Sequence, residues 1–100
     1  MTDEQVANIK MAIKRLPKRL GVGRTWKDNG KPHCAKGYMV SYVGSHADLA
    51  DEVFSQKYGL NTYNLDEIMW LNDNQPPATR RSSIINYLEQ RIAKYANRTQ

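Results

Sequence analysis

The residues best suited to covalent or metal chemistry are Cys34, the chain's single cysteine, and the histidines His33 and His46. A thiolate–imidazole pair requires the two groups to face each other, and adjacent residues rarely do so. A lone cysteine excludes an internal disulfide. Together with Asp48, these residues also lack the Cys-x-x-Cys or His-x-x-x-His spacing of zinc sites. We therefore predict a small buried packing residue at Cys34, and a protein that is not an enzyme and uses no metal or cofactor.

A glycine-rich phosphate loop is weakly indicated by Gly21-Val-Gly23, which Arg24 follows. The segment lacks the third glycine, the preceding strand and the Lys-Ser/Thr ending of such loops. A flexible turn after Leu20 explains the pattern equally well.

A helix-turn-helix unit fits residues 54–68 fairly well. Its core and turn positions are occupied by Phe54, Tyr58, Gly59, Leu60, Leu65 and Ile68. However, Ser55 stands where a small apolar residue is expected, and Asp66 and Glu67 in the would-be recognition helix would repel phosphates. A helix pair used for packing is the favoured interpretation.

The net charge of +5 is distributed unevenly along the chain. Residues 1–32 contain eight basic and three acidic residues, residues 33–75 two and six, and residues 76–100 five and one. If the basic ends meet in space, as domain termini often do, one face of the protein suits an anionic partner. The alternative is that the ends pair with the acidic middle inside the fold.

The last predicted helix carries the most distinct basic stripe. At 100° per residue, Arg80, Arg91, Lys94 and Arg98 fall within about 60° of one another, with Tyr87 among them. Such a stripe suits a phosphate backbone or an acidic protein surface, although an ordinary solvated face is the alternative. Basic residues near the N-terminus extend it if the first and last helices are neighbours. The predicted partner-binding residues are Lys14, Lys18, Arg19, Arg24, Trp26, Lys27, Arg80, Tyr87, Arg91, Lys94 and Arg98.

The elements that must position these residues belong to one domain, because 100 residues are too few for two ordinary cores. No stretch approaches 18 apolar residues, which excludes a membrane span. The start of the chain, with Asp3, Glu4 and Gln5, lacks the basic-then-apolar pattern of a signal peptide. We expect a soluble, cytoplasmic protein.

The first helix is predicted from a capping box and a stripe of apolar residues. Thr2 and Gln5 have the spacing of the box, and Pro17 predicts an end near Leu16. Residues 17–33 form a basic loop punctuated by Gly and Pro, with Trp26 as its anchor, and a short hairpin within the loop is the alternative. The stripe consists of Val6, Ile9, Ile13 and Leu16.

Residues 34–43 fit two patterns. Alternation of Tyr38, Val40 and Tyr42 favours a strand, whereas apolar pairs recurring every four residues favour a helix. We prefer the helix because its pattern is longer and includes Ala35, with Gly44 as its C-terminal stop.

Three further helices complete an all-α bundle of about five helices. Ser45 is the predicted N-cap of the third helix, and Gly59 ends it. Asn64 opens the fourth, over Leu65–Leu71, and Thr79 caps the last. The predicted buried residues of the fourth helix are Leu65, Ile68, Met69 and Trp70; those of the last are Ile84, Ile85, Leu88, Ile92 and Tyr95.

Residues 24–92 resemble a family of small bacterial and phage proteins of unknown function. The likeness rests on Trp26, Cys34-x-x-Gly37, Leu71-Asn-Asp73 and the later Arg80 or Arg81. The chain departs from the pattern by Pro76-Pro77 before the arginines. The resemblance implies a helical fold and a phage or mobile-element setting, but no activity. We expect Asn72 and Asp73 to act as caps or loop acceptors, with Asp73 pairing with Arg80 or Arg81.

Two functional hypotheses remain. The first is a non-enzymatic binding module that presents a cationic surface to a nucleic acid or an acidic protein surface. The second is a small inhibitor or regulator that binds a partner protein through Arg and exposed aromatics, because Trp, Tyr and Arg dominate interface energies. The candidate aromatics are Trp26, Tyr63 and Tyr87.

Overall fold

A computed structural model describes residues 1–21, 27–28, 31–32, 34–41 and 50–99. The described part contains five helices, so the prediction of an all-α bundle is confirmed. It also contains a short antiparallel ribbon in which Lys27 pairs with Pro32 and Asp28 with Lys31, as the hairpin alternative for the 17–33 loop predicted. The elements are α1 (Asp3–Arg15), β1 (Lys27–Asp28), β2 (Lys31–Pro32), α2 (Ala35–Ser41), α3 (Ala50–Tyr58), α4 (Thr62–Asn74) and α5 (Pro77–Thr99).

The start of α1 has the predicted capping box. The Thr2 hydroxyl accepts from the Gln5 backbone N–H at 3.1 Å, and the Gln5 side-chain oxygen accepts from the Thr2 N–H at 2.8 Å. Two of the N–H groups that a helix start leaves without intrahelical acceptors are therefore satisfied. The helix ends with Leu16 as its C-cap, directly before Pro17.

The segment Ala35–Ser41 is helical, so the strand alternative is wrong for the described part of residues 34–43. Met39 is buried, and its carbonyl accepts a hydrogen bond of 2.7 Å from the Tyr58 hydroxyl. Gly59 follows the end of α3 with a φ of 66°, which confirms it as the stop. The predicted stop at Gly44 and N-cap at Ser45 lie outside the described residues.

Two predicted helix starts are wrong. The N-cap of α4 is Asn61, three residues before the predicted Asn64, and the two side chains form a reciprocal box with each other's backbone N–H. The last helix begins at Pro77 rather than after Thr79. Proline is favoured in the first turn because its missing N–H would have no helical acceptor there.

The helix α5 is the longest of the described helices and contacts two others. Its 23 residues span about 34 Å, and it packs against α4 and α1. α1 also packs against α3, and α2 packs against α3, α4 and β2.

None of the described helices combines the length and apolar character required to span a membrane. The core shared by these helices consists of Ile9, Ala12, Leu16, Leu20, Ala35, Met39, Phe54, Tyr58, Leu60, Leu65, Ile68, Ile84 and Leu88.

The buried side of α4 differs from the prediction at one large residue. Leu65 and Ile68 are buried as expected, but Trp70 is 59 % exposed. The next position of the buried stripe is taken by a polar residue, Asn72, which is fully buried. Helical spacing explains why Asn72 is buried and Trp70 is exposed. Asn72 lies four residues after Ile68 and therefore on the same helix face, whereas Trp70 lies two residues after Ile68 and points to another side of the helix.

Candidate functional site

Arg80, predicted to belong to an exposed basic stripe, is buried. It is 8 % exposed, and its guanidinium donates to the backbone carbonyls of Leu20 and, at 3.1 Å, of Gln75. A guanidinium held by the chain's own carbonyls offers little charge to a partner. Arg80 is therefore not a surface residue, and its prediction as a member of the exposed basic stripe is wrong.

Arg81 has a similar internal role. Its Nε donates to the Leu16 carbonyl at 2.8 Å and its Nη2 to the Ile13 carbonyl at 3.4 Å. Through these hydrogen bonds, both arginines connect the start of α5 to the end of α1 and to the segment that follows α1. The expected pairing of Asp73 with one of these arginines is not found; the Asp73 carboxylate instead accepts from Asn72 Nδ2 at 3.2 Å.

The first and last helices are neighbours, as the extension of the stripe required. The Tyr95 hydroxyl donates to the Asp3 carboxylate at 3.1 Å, which also brings the two ends of the chain together. The basic residues nevertheless divide into separate groups. Lys14, a residue of α1, lines a groove between α1 and α5 together with Glu89 and Ile92 of α5.

Lys18 and Arg19 are exposed at the opposite end of α5 from Lys94. The segment that carries them is bonded to Arg80 and Arg81. Lys94 lies thirteen positions after Arg81, or about 20 Å further along the helix. Arg24, Trp26 and the side chains of Lys27 and Arg98 lie outside the described residues.

Arg91 and Lys94 meet at an open pocket of about 400 Å³ between α5 and the first turn of α4. None of the described residues lining it is acidic. The lining consists of Met1, Gly59, Leu60, Asn61, Tyr63, Asn64, Arg91, Lys94 and Tyr95.

Tyr87 positions the cationic wall of this pocket. Its hydroxyl accepts from Asn64 Nδ2 at 3.0 Å, which joins α4 to α5. The Arg91 guanidinium carbon lies 5.0 Å from the centre of the Tyr87 ring, within the range of a cation–π contact. The buried Nε of Arg91 has no acceptor among the described residues. Arg91 is thus held in place with part of its hydrogen-bonding capacity unused.

The opposite wall is the N-terminal turn of α4. The Asn61–Asn64 box satisfies the N–H groups of those two residues. The N–H groups of Thr62 and Tyr63 have no helical acceptor, because they lie in the first turn. The positive end of the helix dipole is therefore added to the charges of Arg91 and Lys94.

Two tyrosines border the pocket as neutral phenols. A hydrogen bond to Glu67 raises the pKa of Tyr63, and a hydrogen bond to Asp3 raises the pKa of Tyr95. The Tyr63 ring is 67 % exposed and is available for stacking. The arrangement can bind an anionic group and stack a planar one, and in the part of the chain that the structure describes the pocket lining contains no cysteine or histidine.

No family model, curated protein or solved structure matches the chain. The resemblance of residues 24–92 to small bacterial and phage proteins therefore stays a prediction.

Cys34 is fully buried, which confirms its prediction as a packing residue. Burial raises the pKa of its thiol, and the nearby Asp73 carboxylate adds to the increase. Its Sγ lies 4.0 Å from the Met69 sulfur. In the described part of the chain, no three His, Cys, Asp or Glu side chains are grouped as metal ligands; His33 and His46 lie outside that part.

The sequence reasoning missed the α4 wall of the pocket. Two asparagines three residues apart, directly before the apolar Leu65, are a recognisable capping pattern. This spacing is the signal that identifies Asn61, and not the predicted Asn64, as the cap. The sequence predicts Tyr63 as an exposed aromatic but contains no signal that places it beside Arg91.

Proposed function

We propose that the protein is a non-enzymatic binding module that presents a cationic surface to an anionic partner, and that this partner is a single-stranded nucleic acid. The observation that supports the proposal most directly is the convergence of Arg91 and Lys94 with the first turn of α4. A phosphate at this place meets two cations and a helix N-terminus, the combination that favours phosphate in proteins.

Tyr63 favours a single strand over a duplex. Unpaired bases stack on exposed aromatic rings, and such stacking tolerates any base. Tyr63 is the most exposed aromatic side chain among the described residues that line the pocket. A strand could therefore place a phosphate at Arg91 and Lys94 and a base on the Tyr63 ring.

The test is fluorescence anisotropy with a labelled oligothymidylate of about 12 nucleotides, titrated at salt concentrations from about 50 to 300 mM. The variants are Lys94→Glu and Lys18→Glu. Both lysines are exposed, and the two substitutions change the net charge equally. Only Lys94 belongs to the pocket, so Lys18→Glu is a matched control for general electrostatic attraction.

We expect Lys94→Glu to weaken binding about tenfold and to reduce the slope of log affinity against log salt by about one. Lys18→Glu should have a clearly smaller effect at every salt concentration. Equal effects of the two variants would show that the pocket has no special role. If the protein does not bind the oligonucleotide but binds polyglutamate, the anionic partner is an acidic protein surface instead.

The second candidate function is binding to a partner protein through aromatic side chains. Trp26 lies outside the described residues, and Tyr87 is half-buried within the fold. The exposure of Tyr63 and Trp70 is the observation that favours it.

A further inference from the structure

The outward side of α4 carries two of the largest exposed aromatic side chains in the described part of the protein. Tyr63 is 67 % and Trp70 59 % exposed. They are seven residues apart, so they lie on the same side of the helix, two turns or about 10 Å from each other. The residues buried on α4, Leu65, Ile68 and Asn72, lie on the opposite side.

Carboxylates surround these aromatics. Asp66 and Glu67 lie between them along the helix, and Asp73 lies one turn beyond Trp70. Asp66 and Asp73 are exposed, while Glu67 is half-buried and accepts a hydrogen bond from the Tyr63 hydroxyl. We call these five residues, Tyr63, Asp66, Glu67, Trp70 and Asp73, the outer face of α4.

The charge of the outer face is opposite to that of the whole protein. The chain has a net charge of +5, yet none of the three carboxylates forms an ion pair with a lysine or arginine of the described residues. Negative charge left without a counter-ion attracts cations. A surface that is both aromatic and acidic therefore favours a partner whose side chains are cationic and can stack on an aromatic ring.

Arginine and lysine side chains meet both requirements. A guanidinium stacks on Trp and Tyr rings and also forms paired hydrogen bonds with carboxylates. Trp and Tyr are also the residues that most often dominate the energy of protein interfaces. We propose that the outer face of α4 is a docking surface for an Arg/Lys-rich segment of a partner protein.

This surface is distinct from the pocket of the proposed function. The pocket lies between α4 and α5 and binds through Arg91 and Lys94, whereas the outer face faces away from the bundle core. Tyr63 borders both, so it is left unchanged in the test. Trp70 and Asp66 belong to the outer face alone.

The test uses a capped octa-arginine peptide, followed by intrinsic fluorescence and by calorimetric titration. Trp70→Ala should weaken binding at least about tenfold, equivalent to about 1.4 kcal/mol. Asp66→Asn should weaken it about two- to fivefold, in line with an exposed ion pair. Glu89→Gln is the matched control, because it removes an exposed carboxylate on the α1 side of α5 and should leave the affinity unchanged.

The proposal is overturned if Trp70→Ala binds octa-arginine as tightly as the parent protein. It is also overturned if Asp66→Asn and Glu89→Gln lose affinity equally. Because the chain is itself basic, a second copy is the competing occupant. Sedimentation equilibrium that finds a dimer lost in Trp70→Ala would assign the face to self-association and overturn the proposal.

The two proposals fail separately. Trp70→Ala should keep its affinity for oligothymidylate, and Lys94→Glu should keep its affinity for octa-arginine. Circular dichroism of Trp70→Ala should match the parent spectrum, since the indole is mainly solvated.

Discussion

Asn72 gives the sharpest test of how this fold is held together. It is fully buried on α4, and its side chain connects three parts of the chain. Its Oδ1 accepts from the Ala35 N–H at 3.0 Å, at the start of α2. Its Nδ2 donates to the Gly21 carbonyl at 2.7 Å and to Asp73. The substitution Asn72→Leu keeps a similar side-chain volume but leaves the Ala35 and Gly21 groups without this partner.

Each buried group left unpaired costs about 1–3 kcal/mol. The Ala35 N–H is buried and the Gly21 carbonyl is partly buried, so the loss in the free energy of unfolding should be about 2–4 kcal/mol, against a typical total of about 5–15 kcal/mol. The assay is urea unfolding followed by far-UV circular dichroism. Asn74→Leu is the control, because Asn74 is exposed on the same helix and its Nδ2 bonds only the carbonyl of Trp70, one turn earlier. Its effect should stay within about 0.5 kcal/mol.

Asn72→Asp separates the accepting role of the side chain from its donating role. An ionised Asp at this position accepts from Ala35 but cannot donate to Gly21, and it lies beside Asp73. Its pKa in the folded state should therefore exceed the unfolded value of about 3.9. The loss of stability relative to the parent is then smallest below that unfolded value and grows as pH rises to the folded pKa. A cost below about 1 kcal/mol for Asn72→Leu, or a pH-independent cost for Asn72→Asp, would refute the reasoning.

Two further predictions concern Gly59 and Cys34. A Cβ at Gly59 would approach Gln5 Oε1 and lie 2.8 Å from Gln5 Cδ, at a φ of 66°. Gly59→Ala should therefore lower stability by about 1–2 kcal/mol in thermal unfolding, and by less in a Gln5→Ala background; an equal cost in both backgrounds would contradict the clash. Since burial raises the pKa of the Cys34 thiol, a disulfide reagent at neutral pH should modify it far more slowly in the folded protein than in urea. Rapid modification of the folded protein would contradict the buried placement.

Local signals in the sequence predicted most of the helices. The Thr2–Gln5 box, the stop at Pro17 and the stop at Gly59 each depend on residues close in the chain. Tertiary packing decided the features that were mispredicted. Trp70 was expected to be buried because it is apolar, but the core side of α4 is fixed by Leu65, Ile68 and the polar Asn72. Hydrophobicity alone cannot predict a buried asparagine, because its partners come from Ala35 and Gly21, far along the chain.

The same limit applies to the candidate site. Arg91 and Lys94 were predicted from their helical spacing, and they do meet at one pocket. Arg80 shares that spacing but is buried, because carbonyls of two loops lie within reach of its guanidinium. The sequence could not distinguish these arginines, since the acceptors of Arg80 are Leu20, sixty residues earlier, and Gln75.

The hydrogen bonds made by the segment 16–21 explain why fewer basic residues are available to a partner than the net charge of the chain indicates. This segment has no regular secondary structure, so its carbonyls need hydrogen-bond donors from elsewhere in the chain. Three of those carbonyls receive hydrogen bonds from Arg81, Arg80 and Asn72, side chains of α5 and α4. Two of the five basic residues in the C-terminal block therefore hold the fold together. The basic charge available to a partner on the described part of α5 is concentrated at Arg91 and Lys94, and a small pocket, not a long stripe, is the place to test for an anion.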